Sequence, residues 1–278
     1  MNILILNTSE LTGGAAVAAN RLAKALGKSG VEVSMLVRDR KTGDEWVTAL
    51  NDSFWASRWN FIRFVWERLI IFICNHFRRK PLFQVSIANT GTDLSDHPLV
   101  KAADVIHLHW INQGFLSLAD IRKLALIGKP IVWTMHDMWP CTGICHYARE
   151  CKNYQQECHD CPYIYKGGGR KDLSYRTFRK KQKLYSYAPI HFVTCSHWLK
   201  EQAQTSALFE GKSVTNIPNA INTNLFKPMN KKEARAKFML PEGKKLVLFG
   251  SLKITDKRKG VDYLIGACKL LAEKHPEW

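Results

Sequence analysis

An α/β fold with a doubly wound parallel sheet is predicted by three observations. Short apolar runs of strand length alternate with stretches of helical spacing. The first run enters a Gly13-Gly14 loop and then a helix, the opening of a Rossmann-like unit. The 278 residues are 46% hydrophobic, enough for one large domain or two small ones with buried cores.

The elements follow in order. Residues 3–6 form the first strand, and residues 15–27 a helix with Val17, Leu22, Ala25 and Leu26 on its apolar side. Gly30 turns the chain into a strand over 31–37. A strand over 105–109, a helix over 118–127 and a strand over Ile131–Met135 extend the pattern, with Gly128-Lys129-Pro130 closing the helix. A strand over 191–194, a helix over 196–204 and a strand with its exit turn over 214–219 complete a first domain, residues 1–220. Residues 221–245 are Lys-rich and contain Pro228, Pro241 and Gly243; they read as a linker with one short helix over 231–238. Residues 246–278 begin a second domain: an apolar strand over 246–250, then a helix over Val261–Lys274.

Lys and Arg outnumber Asp and Glu by 41 to 24, a formal charge of +17. Such a chain meets nucleic acid, a membrane face or phosphorylated substrates, and charge alone does not choose. The N-terminal residues lack the basic and apolar regions of a secretory signal. No apolar run approaches the roughly 20 residues of a membrane-spanning helix. A cytoplasmic protein with reduced cysteines is expected.

Five patterns could carry chemistry. Gly13 and Gly14 would let a ligand approach free helix N–H groups, although a Gly-Gly turn is as often purely structural. Arg258, Lys259 and Gly260 put cations and a tight turn at a helix start, which suits a phosphate. His136 and Asp137 follow a strand end, where open α/β sheets bind ligands, and His107 and His109 leave another. Cys145, Cys151, Cys158 and Cys161 can supply a tetrahedral zinc site, with Cys141 as a spare; reduced thiols, or disulfides in an oxidising compartment, are the alternative. In residues 54–80, Trp55, Trp59, Ile62, Trp66, Leu69, Ile73 and Phe77 recur every three or four positions beside six basic residues, Arg68 among them, with Glu67 the one acid counted against them. That stripe suits either an anionic membrane interface or the helix's own domain. A second basic stretch over 166–183 reads as a solvated face.

The ordered motifs resemble the retaining glycosyltransferases of family four, group 1, with the GT-B fold. Its carriers are Thr12-Gly13-Gly14, Trp133-Thr134-Met135-His136-Asp137-Met138-Trp139-Pro140, the cysteine cluster, Ser196-His197-Trp198-Leu199, the run from Ile217 to Pro228, and the segment from Phe249 to Asp262. The Trp-Thr-x-His-Asp-x-Trp-Pro run with its cysteines is similar to a subgroup of bacterial polysaccharide and colanic-acid-type clusters. The resemblance implies a nucleotide-sugar donor and a lipid-diphosphate or oligosaccharide acceptor. It puts Gly14 near the donor phosphates or the acceptor, His136 at the reacting sugar, and Arg258 and Lys259 on the diphosphate. It implies no catalytic cofactor, and no Asp-x-Asp triplet is present. Ser251 stands where many relatives have Arg, and Ala220 where they have Gly. The acidic pair that holds the donor is expected beyond Trp278, so the chain reads as cut short and inactive alone. A zinc-stapled nucleic-acid-binding protein and an inactive adaptor are the rival readings.

Overall fold

The computed structural model describes residues 1–80, 82–251 and 254–275. They divide into two units, Met1–Ile221 and Asn222–Trp278.

In the first unit, β1 (Asn2–Ser9) is apolar on both sides because the sheet is covered on both faces. Ile3 and Ile5 pack with Ala19 and Ala23 of α1 (Gly14–Lys28), while Leu4 and Leu6 point into a larger core on the opposite face. Then come β2 (Glu32–Asp39), a short β3 (Val47–Ala49) with no counterpart in the sequence reading, and α2 (Phe54–Cys74). After α3 (Pro98–Ala102) come β4 (Val105–Leu108), α4 (Leu118–Leu126) and β5 (Ile131–Met135). A capping box between Ser117 and Asp120 starts α4. An irregular stretch with three 3₁₀ turns leads to α5 (Leu173–Tyr187), β6 (Ile190–Thr194), α6 (His197–Gln204) and β7 (Val214–Asn216).

Among the described residues the strands of the sheet all pair in parallel, in the order β3-β2-β1-β4-β5-β6-β7. The α/β Rossmann-like expectation is met. The strand order reverses between β1 and β4, so their carboxyl ends flank the crevice where such sheets bind ligands. The larger core includes Trp133, Phe192, Tyr185 and Trp139, and Trp133 stacks on Phe192 at 5.9 Å between centroids.

Helix α2 ends at Cys74, capped by Asn75, short of the expected residue 80. Its inward side is largely polar: Asn60, Glu67 and Arg68 are buried with Ile71. Glu67 accepts hydrogen bonds from the Ile87 and Ala88 amides at 2.8 and 2.9 Å and from Arg68 Nη2 at 2.7 Å. Arg68 also donates to the carbonyls of Leu82 and Val85. Arg68 and Glu67 are therefore not surface charges beside the stripe, as the sequence suggested. They pin the segment after the helix to it.

The second unit contains α7 (Lys231–Lys237) and α8 (Val261–Lys274). Residues 246–250 form no strand, contrary to expectation. A strand needs a hydrogen-bonding neighbour, and the described residues of this unit offer none; Leu248 is 96% exposed. Residues 252, 253 and 276–278 of the expected second domain lie outside the described residues. No helix among the described residues is long and apolar enough to cross a membrane.

Candidate active site

Strands β1, β4 and β5 are neighbours, and their carboxyl ends bring three of the predicted positions to one edge of the sheet. The ends are cross-tied: Thr8 N donates to the Trp110 carbonyl at 2.8 Å, His109 N to the Leu6 carbonyl at 3.0 Å, and Trp110 N to Asn7 Oδ1 at 2.8 Å. Such ties fix the side chains that leave the edge.

Three histidines run along it. His107 Nε2 is 2.8 Å from Thr134 Oγ1, and the His107 and His109 rings are 4.4 Å apart between centroids. His109 Nδ1 is 2.9 Å from His136 Nε2. Burial pulls the His107 and His136 pKa values down to about 4, with the neighbouring His136 adding to the effect on His107 and Asp137 opposing it on His136. Burial, then His107 and His136, holds His109 well below the ordinary range. All three rings are neutral at pH 7. His109 Nε2 is buried without a hydrogen-bond partner. The tautomer that avoids an orphaned buried N–H there protonates His109 at Nδ1, which donates to His136 Nε2. His136 then carries its own proton on Nδ1.

Asp137 is fully engaged. Its Oδ2 accepts from Trp110 Nε1 at 3.1 Å and lies 2.7 Å from His146 Nδ1, and its Oδ1 accepts from the Trp139 amide at 2.9 Å. Burial pushes its pKa up, but the His146 interaction and these hydrogen bonds outweigh burial and hold it low. His146 Nε2 in turn meets Ser86 Oγ at 3.1 Å. The geometry makes Asp137 the tie between β5, the Trp110 loop and the cysteine loop.

Gly13 sits at φ 92°, a region that favours glycine, and starts α1 without a side-chain cap. The first-turn amides of α1 thus form an anion-compatible end at the β1 edge. Arg258, Lys259 and Gly260 belong to the second unit. There Arg258 forks onto Asp256, with Nη2–Oδ2 at 2.6 Å and Nε–Oδ1 at 3.0 Å, and that hydrogen bonding lowers the Asp256 pKa to about 2. Gly260 adopts φ 73° at the uncapped start of α8. The expected cationic helix start is present, with an acid beside it that the sequence reading left out.

Cys145, Cys151, Cys158 and Cys161 line one cavity of about 20 Å³, and none is in a disulfide. Cys141 is not among its lining residues. No three His, Cys, Asp or Glu side chains among the described residues already converge as a metal-binding set. Lys181 of α5 lies beside this loop, wholly buried. Its Nζ donates to the Trp139 and Thr142 carbonyls at 2.5 and 2.9 Å and sits 3.4 Å from the Trp139 ring centroid.

Trp55, Trp59 and Trp66 are 72%, 61% and 50% exposed, and Ile62, Leu69, Ile73 and Phe77 are exposed with them. The stripe thus faces away from the domain. Near the end of α2 opens a cavity of about 870 Å³ whose lining includes Arg78, Lys80, Arg149, Tyr163 and Tyr165. The Arg78 guanidinium stands 4.8 Å from the Tyr165 ring centroid.

Sequence reasoning missed His146, Trp110, Ser86 and Lys181. His146 follows a predicted cysteine ligand and was hidden by it. The basic run around Lys181 masked one inward lysine, whose four-residue spacing from the buried Thr177 was the available clue.

A 68-residue segment is 32% identical to the putative colanic acid biosynthesis glycosyl transferase WcaC of Escherichia coli (strain K12). The aligned segment spans 24% of this chain and 17% of that protein. The family model for Glycosyltransferase Family 4 matches residues 12–225, most of the chain. The chain belongs to glycosyltransferase family 4.

Proposed function

We propose that the chain is the acceptor-side part of a glycosyltransferase that moves a hexose from a nucleotide-sugar to a lipid-linked or oligosaccharide acceptor. The transfer retains the anomeric configuration and serves bacterial surface-polysaccharide synthesis. One observation carries the reading: a neutral, hydrogen-bonded His136 at the β5 edge, beside the strand-order reversal and the uncapped start of α1. Family membership and the similarity to WcaC support it.

In this reading His136 Nδ1–H donates to a hydroxyl of the transferring sugar. A neutral ring does so without placing a cation against the oxocarbenium-like centre, and His109 keeps it in that tautomer. Asp137 positions the edge. The departing nucleoside diphosphate gains negative charge, which the first-turn amides of α1 offset. The enzyme works in the cytoplasm on the inner face of the membrane. The outward tryptophans of α2 enter the interface, and Arg78, Lys80 and Arg149 meet anionic phosphates.

The test is transfer by the full-length protein, given a panel of nucleotide-sugars and lipid-diphosphate acceptors. His136→Ala should lower turnover by roughly 10²- to 10³-fold with the fold intact. A full-length protein that neither transfers nor hydrolyses any donor refutes the reading.

A further inference from the structure

We propose that Cys145, Cys151, Cys158 and Cys161 hold one zinc ion as a tetrathiolate.

Convergence is the first observation. The four residues come from separate turns of an irregular stretch, yet they line a single cavity of about 20 Å³. One water-sized body needs roughly 10–15 Å³ by the same kind of measure. The thiols do not converge as a finished set. A cysteine side chain has one torsion between Cα and Sγ, so turning it into the void is a single rotamer change per ligand.

The second observation is the loop itself. Between the 3₁₀ turns at Trp139–Cys141 and Tyr165–Gly167 there is no α-helix and no strand, only one further 3₁₀ turn, Asn153–Gln155. A segment without regular structure is the kind that structural zinc organises. Gly143 N donates to Cys158 Sγ at 3.2 Å, the N–H···S contact that favours a thiolate. A Cβ at Gly143 would lie 2.6 Å from the Ser174 carbonyl oxygen and 3.0 Å from Cys158 Cβ, so glycine is what lets this amide reach the sulfur.

On binding Zn²⁺ the four thiols release four protons to solvent, leaving a tetrathiolate centre of net charge −2.

Elemental analysis of the chain, purified under reducing conditions and supplied with zinc, should give about one zinc per chain. Cobalt in its place should give the intense visible bands of tetrahedral thiolate coordination. Cys158→Ser should lose both. A wild-type chain that stays metal-free, or in which thiol titration shows disulfides among the four cysteines, overturns the site, and this measurement needs no variant to fold.

Discussion

Three neutral imidazoles in a row are unusual because each would charge readily in water. In the unfolded chain they bind protons near pH 6.5; folded, His107 and His136 do so only near 4. The unfolded state therefore holds more protons between those values. The stability that depends on these neutral rings is fully present above pH 6.5 and is lost as pH falls toward 4, by about 3 kcal/mol for each ring. The melting temperature should drop over that window, and His107→Gln should remove part of the drop; a profile unchanged from pH 7 to 4.5 contradicts the assignment. His136 and Asp137 were legible because they close a strand that the sequence marks clearly. His146 was not. Its partnership with Asp137 spans nine residues of irregular backbone and depends on a loop path that no periodicity encodes.

At the scale of elements, α2 reverses the usual arrangement. Its inner contacts combine hydrogen bonds and one ion pair with the buried Ile71, and its outer face is aromatic. Removing the carboxylate by Glu67→Ala leaves a buried guanidinium and two amides without their acceptor. It should cost about 3–5 kcal/mol by denaturant unfolding. A change below 1 kcal/mol would show that the pair is not what attaches the helix. Replacing Trp55, Trp59 and Trp66 with Ser should alter stability by no more than about 0.5 kcal/mol, since the three rings are exposed. The same variant should lose co-sedimentation with vesicles rich in anionic lipid, whereas retained co-sedimentation excludes this face as the contact. The stripe was legible as a stripe. Its direction was not, because spacing records which residues share a face but not which face the domain takes.

Across the whole molecule, some elements were legible to the residue, β5 in the first unit and α8 in the second. Each of those elements combines a strong local preference with clear Gly or Pro boundaries. Residues 246–250 have the same apolar look without forming a strand, which shows that a strand is a property of the sheet and not of its own residues. Both apolar cores draw only on residues before Ile221. A chain ending at Ile221 should therefore melt cooperatively in calorimetry; a broad, gradual transition would contradict that expectation.

The reversed helix separates two tasks that most amphipathic helices must solve with one set of residues. Glu67 and Arg68 anchor α2 from within, so its outer aromatics are free of any duty to the fold. Substitution on that outer side can retune which surface the protein visits, one residue at a time, without passing through an unfolded intermediate. Two descendants of this chain could keep the same chemistry and diverge in address alone.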